Sequence, residues 1–291
     1  MTARLIRVSE RISYLVSNEK IDVNQGSIFS QLEEQLLQET IRAFPQYFQG
    51  LAKFKEQFQE YPIEHVRAYS YELRFNTAMI NMINKLKLHG FGFCKPEIIK
   101  KSERQVHLKN VYDLSLALSI IEEGKNADSI VCNNHSSDET GRVFILTGPN
   151  QGGKTTFLRS LGLTQVLFQA GCFVPAEVAL LSTVDQIFTH FSSVETDSDS
   201  GRLEEEMIRF KQIMQQVSGN SLLLMNESFS STNAREGAII AEEFLKALSI
   251  IGTRVVFVTH LYEIAKRIDK INAETQGKTR LVSMVAGVEV P

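Results

Sequence analysis

Val143-Phe144-Ile145-Leu146 and, one residue further on, Gly148-Pro149-Asn150-Gln151-Gly152-Gly153-Lys154-Thr155 decide how this chain is read. The octet fits G-x-x-x-x-G-K-[ST]. It follows a short apolar strand and precedes a helical run from Lys154, which is the context that the pattern requires. Glycines let the backbone wrap an anion with its N–H groups inward, and the positive end of a helix starting near Lys154 faces the same place. The expected ligand is a nucleoside triphosphate, with Lys154 reaching the β- and γ-phosphates and the Thr155 hydroxyl offered to Mg²⁺. A glycine-rich turn that merely joins strand to helix explains neither the lysine nor the threonine.

Downstream the same alternation continues, with a strand at Leu222-Leu223-Leu224-Met225, a helix from about Arg235 and a strand at Val255-Val256-Phe257-Val258. Short apolar strands alternating with helices predict a parallel sheet covered on both faces. The second strand ends in Asn226-Glu227, where a nucleotide hydrolase needs an acidic pair. Asn226 offers an oxygen to a metal-bound water but no charge, while Glu227 can orient an attacking water. The third strand ends in Thr259-His260, placing a histidine on the ligand-binding edge of such a sheet. A carboxylate after a buried strand can also be a simple helix N-terminal residue, and a lone histidine is more often structural. Three such elements in this order favour a site.

Upstream, from Ile28 to about Lys87, glycine is scarce and apolar residues recur at three and four, as in Val66, Tyr69, Leu73, Met79, Met82 and Leu86. These are amphipathic helices, interrupted at Pro45 and above all at Tyr61-Pro62. Two long antiparallel arms and an ordinary helical bundle both fit the periodicity. His89-Gly90-Phe91-Gly92 ends this region. A short mixed segment and a helix over Leu114–Ile121 follow, and then the turn-rich run Gly124–Gly141, expected to be a loop.

The chain has 291 residues, longer than one average domain, so two units or one large α/β domain with a helical extension are expected. Its composition, 43% hydrophobic and 22% charged, suits a globular core and excludes a fibrous or low-complexity chain. A formal net charge of −3 advertises no nucleic-acid or acidic-membrane partner. Cys94, Cys132 and Cys172 are far apart with no CxxC spacing, which argues against a zinc site or a disulfide framework. No stretch reaches the roughly 18 apolar residues of a spanning helix, and the start lacks a signal-peptide core, so a cytoplasmic protein is expected.

Taken together, these residues resemble the ATPase domain of the MutS mismatch-repair family. The likeness rests on FILTGPNQGGKTTFLRS at 144–160, QAGCFVPAEVALLSTVDQIFT at 169–189, NESFSSTNAREG at 226–237 and Thr259-His260. Gly171-Cys172-Phe173-Val174-Pro175-Ala176 is its most specific part, because nucleotide binding in general does not require it. The resemblance implies an ABC-type P-loop ATPase with a mainly parallel sheet over 93–291, truncated at its C-terminal end, preceded by a lever-like helical region over 1–92. It implies ATP and Mg²⁺ as cofactors, a homodimer paired through ATPase domains, and DNA held by the helical arms of a complete protein. Gly148 to Thr155, with Thr156 and Asn133, would bind the nucleotide; Thr155 and Asn226 would serve the metal; Lys154, Glu227 and His260 would serve catalysis.

Three departures from the family stand out. Asn226 replaces the metal-side aspartate. Gly201, with Ser200 one residue off, falls where a serine usually reaches the neighbouring subunit's γ-phosphate. Ile130 falls where an aromatic ring usually stacks on adenine. Arg202 to Val217 reads as a helix whose start, Glu204-Glu205-Glu206, is expected to be a solvated acidic face. The basic residues of the arms, Lys53, Lys55, Arg67, Arg74, Lys85 and Lys87, interleave with Glu56, Glu60 and Glu64, so a solvated mixed face competes with a phosphate track.

Overall fold

The computed structural model describes residues 28–58, 63–191, 199–229 and 232–287. The chain forms two compact units, one reaching to Phe75 and one starting at Asn76. The first holds α1 (Ile28–Ala43), α2 (Pro45–Phe58) and the start of α3 (Ile63–Leu88). Pro45 opens α2, where its missing N–H costs nothing, and it keeps Phe44 out of the helical region. The expected break at Tyr61-Pro62 lies outside the described residues. α1 and α2 lie against each other, yet α2 buries no residue and exposes Tyr47, Leu51 and Phe54. The periodicity that predicts a buried face is therefore met by helices without a core on α2.

The second unit carries the end of α3, β1 (Glu97–Ile99), β2 (Val106–Val111), α4 (Leu114–Glu122), β3 (Asn133–Ser137), β4 (Val143–Thr147) and α5 (Lys154–Gln169). It continues through β5 (Val178–Ser182), β6 (Ile187–Phe191), α6 (Asp199–Gln216), β7 (Leu222–Asn226), α7 (Ala234–Ile251), β8 (Arg254–Val258), α8 (Tyr262–Glu274) and β9 (Leu281–Val285). A parallel sheet runs in the order β6-β7-β8-β4-β9. A second sheet, β1-β5-β2-β3, pairs β2 antiparallel to both neighbours. The sequence pattern predicts the three central parallel strands; β6 and β9, less uniformly apolar, extend the sheet on either side.

Alternate side chains of the central strands build two cores. Phe144, Leu146, Leu222, Leu224, Val256 and Val258 face α5 and the second sheet, where they meet Phe157, Leu161, Val106 and Leu181. Val143, Ile145, Leu223, Met225, Val255 and Phe257 face the opposite way, onto Phe210, Ala241, Leu245, Ile264 and Ile268 of α6, α7 and α8. Burial on both faces explains why these strands read as uninterrupted apolar runs. A third cluster joins Leu86 at the end of α3 to Phe91, Tyr112 and the apolar face of α4.

Part of the run Gly124–Gly141, expected to be a loop, is the strand β3. Its sequence, Asn133-Asn134-His135-Ser136-Ser137, is polar because β3 is the last strand of its sheet and only His135 and Ser137 turn inward. The mixed segment before α4 likewise resolves into β1 and β2.

His135 packs edge-on to Phe144 at 4.8 Å and Phe157 at 5.8 Å, and burial pulls its pKa from 6.5 down to about 4. Between those values the unfolded chain binds a proton that the folded chain refuses, so stability falls as pH drops below 6.5. From pH 7.5 to 5 this residue alone should cost about 2 kcal/mol, from 1.36 kcal/mol per pKa unit. His190, also held low by burial, acts with the same sign. Urea unfolding of His135→Phe at both pH values should show a markedly smaller pH dependence than wild type; an unchanged dependence would contradict the assignment.

Candidate nucleotide-binding site

The site grows from the register of the parallel sheet. Val258 lies opposite both Leu146 and Asn226, so the carboxyl ends of β4, β8 and β7 finish side by side. Ligands of open parallel sheets bind outside that edge. Glu227 N donates to Val258 O at 2.8 Å and Thr259 N to Leu146 O at 3.1 Å, carrying the alignment one residue past each strand.

The loop leaves β4 at Thr147, whose carbonyl accepts from Ala286 N at 2.8 Å. Gly148 has φ +144°, and a Cβ there would stand 2.9 Å from Ala286 Cβ and 3.0 Å from its carbonyl oxygen. Only glycine fits. Gly153 caps α5 at φ +72° with no side-chain cap on the helix, so the first-turn amides are free of a competing side-chain acceptor. Pro149, Asn150 and Gln151 form the exposed crown, with Gln151 itself at φ +63°. Gly152 N donates to Pro149 O at 3.2 Å. Lys154 is buried, and its Nζ donates to Gly148 O at 2.9 Å and Pro149 O at 2.7 Å. The Tyr262 hydroxyl donates to Gly148 O at 3.2 Å. The donor set therefore fits phosphate: an uncapped helix start and a buried ammonium at the loop's mouth.

Two side-chain pairs stand beside the loop. Thr155 Oγ1 donates to Asn226 Oδ1 at 3.1 Å, and His260 Nε2 lies 3.0 Å from Glu227 Oε1, both groups partly exposed. Thr155 and Asn226 are neutral oxygen donors that could hold a hydrated divalent ion weakly. Among the described residues no cluster of three or more histidines, cysteines or acids forms a metal site. Thr156 follows in the first turn of α5, half-buried.

Asn133 begins β3 in the second sheet, exposed, with Nδ2 3.4 Å from Val131 O. Ile130 packs partly buried against the cluster of α3 and α4. Ser200 and Gly201 fall in the first turn of α6. Of the three acids after them Glu204 and Glu205 are exposed, but Glu206 is buried, at 3% exposure, and accepts from Phe229 N at 2.9 Å. The expectation of a wholly solvated acidic face is thus corrected. Glu206 shares a helical stripe with buried Phe210 and Ile213, a spacing from which its burial could have been read. Tyr262 and Ala286 also support the loop, and no local pattern announces them.

Gly148→Ala should destabilise the fold by about 2 kcal/mol or more, because it combines a positive φ with a backbone collision. Thermal unfolding measures this; an unchanged midpoint would show that the loop tolerates a side chain there.

Residues 144–286 match the family model described as MutS domain V. The chain is 32% identical over 199 residues to the DNA mismatch repair protein MutS of Chlorobium limicola, covering 66% of this chain and 22% of that protein. It is 31% identical over 177 residues to the protein of the same name from Brevibacillus brevis, covering 60% and 20%. Against that of Bacillus subtilis it is 32% identical over 155 residues, covering 52% and 18%. The chain spans about a fifth of the length of these curated relatives. Over residues 144–286 the chain carries the domain V segment of the MutS family.

Proposed function

We propose that this chain is an ATP-binding and ATP-hydrolysing switch of MutS type. In this reading residues 93–291 act as the ATPase and residues 1–92 as the helical part, and nucleotide state moves helical arms that bind DNA in a complete protein. The convergence of Lys154, the Thr155–Asn226 pair and the Glu227–His260 pair on one carboxyl edge carries the reading.

The amides of Gly152 to Thr156 and the Lys154 ammonium would hold the β- and γ-phosphates, with Gly148, Pro149, Asn150 and Gln151 shaping the cradle. Mg²⁺, when bound, neutralises phosphate charge, and Thr155, with Asn226 through water, would hold it. Glu227, oriented by His260, would accept a hydrogen bond from the attacking water. As the water oxygen bonds to the γ-phosphorus, the bond to the bridging oxygen breaks and ADP leaves with that electron pair. The γ-phosphate contacts of Lys154 and His260 exist only with the triphosphate bound. That difference is what biases a two-state arrangement of the arms.

The amide at Asn226 favours a second reading, a nucleotide sensor that binds but hydrolyses slowly or not at all. Its oxygen already takes the Thr155 hydroxyl and adds no charge for a cation. Association into a homodimer through ATPase domains belongs to the proposal, with Gly201 supplying no hydroxyl in trans. DNA binding rests on the family likeness rather than on charge. No helix among the described residues is long and apolar enough to cross a membrane.

Phosphate release, nucleotide affinity and sedimentation, each with and without ATP, Mg²⁺ and DNA, test these readings. Lys154→Ala should weaken ATP binding by about 100-fold, the scale of one lost charged phosphate contact; undiminished affinity would overturn the phosphate role. Asn226→Asp should raise magnesium-dependent turnover about tenfold by restoring a carboxylate. If it leaves turnover unchanged, the amide is not what limits hydrolysis.

A further inference from the structure

Between β7 and α7 the chain makes a turn that the mechanism depends on and that its own sequence disfavours. Glu227 has φ +54° and Phe229 has φ +64°, two non-glycine residues in the left-handed region within three positions. Such conformations persist only where surrounding groups hold them. Three contacts hold this one. Glu227 N is fixed on Val258 O. The Ser228 hydroxyl pairs with the buried His190 Nδ1 at 2.6 Å, from the end of β6. Phe229 N donates to Glu206 Oε2 at 2.9 Å, and the fully buried Phe229 ring lies 5.4 Å from both Phe210 and Phe244.

Glu206 is the unusual member, a carboxylate buried on α6 among the rings that seat Phe229. A carboxyl group buried away from water is costly unless it is hydrogen-bonded. Here the bond is spent on a strained turn. That turn sets the Cα–Cβ direction of Glu227, whose carboxylate meets His260.

The geometry points to Glu206 as a positioning residue: by holding the Phe229 amide, it ties α6 to the turn that aims Glu227 at His260. The part that concerns hydrolysis rests on the ATPase reading above; the positioning itself does not. Without the acceptor, Phe229 N is left unsatisfied, the turn relaxes toward ordinary φ, and the Glu227–His260 pair loosens. Nucleotide binding at the loop, on a different strand, is expected to persist.

The test uses the full chain and reads the His260 imidazole resonances by NMR, assigned with His260→Gln, without nucleotide. Glu206→Ala should move them most of the way to their positions in Glu227→Ala, whereas Glu206→Gln, which keeps an oxygen acceptor, should leave them near wild type. If Glu206→Ala does not fold, Glu206→Asp, one methylene too short to reach the amide, should give the same displacement. Unmoved resonances in Glu206→Ala, or in Glu206→Asp if the alanine variant does not fold, would overturn the assignment, as would a Glu206→Gln spectrum matching the displaced one. In the same proteins, affinity for ATP should stay within about twofold of wild type, and any turnover should fall through kcat rather than KM. Absence of ATP binding by wild type would remove the ATPase reading and leave the NMR result standing.

Discussion

The site depends first on strand register. Because β8 lies between β4 and β7, with Val258 opposite Leu146 and Asn226, three segments distant in sequence deliver their next residues to one edge. A slip of one residue would turn every side chain of a strand to the other face, exchanging the residues of the two cores. The apolar faces on both sides of the sheet, Phe144 and Leu146 against Val143 and Ile145, make that slip expensive. The hydrophobic cores thereby hold the chemistry in place.

On that edge the backbone departs repeatedly from ordinary conformation. Gly148 and Gly153 do so at the loop, where a side chain would collide or strain, while Gln151, Glu227 and Phe229 do so without glycine's freedom. Each non-glycine case costs on the order of 1–3 kcal/mol and needs support from its surroundings. The support is visible around Glu227 and Phe229: the Val258 carbonyl, the His190–Ser228 pair and the Glu206 carboxylate. Strain concentrated beside a carboxylate and a histidine accords with a preorganised site. The Asn226 amide, by contrast, withholds the charge that such a site would ordinarily give a divalent cation.

Much of this was legible in the sequence, for physical reasons. The loop octet is recognisable because its glycines, lysine and threonine stand at a fixed spacing between an apolar strand and a helix, and the central strands because burial on both faces leaves them uniformly apolar. β3 is not legible: a margin strand can be polar, and its inward residues are a histidine and a serine rather than aliphatics. β6 and β9 leave a fainter mark because only partial burial shapes their composition. Glu206 is hidden by its neighbours: three successive acids suggest solvent, although its spacing to Phe210 and Ile213 puts it on the buried stripe. Tyr262 and Ala286 reach the loop through tertiary contacts, which leave no local signature.

On the reading proposed above, the bend from Gly148 to Thr155 takes the phosphate tail of a nucleotide. Backbone amide chemical shifts recorded during titration with a non-hydrolysable ATP analogue and Mg²⁺ test it most directly. The amides of Gly152, Gly153, Lys154 and Thr155 should move most and saturate together. Amides in that bend that stay in place at saturating nucleotide, while others elsewhere shift, would contradict it.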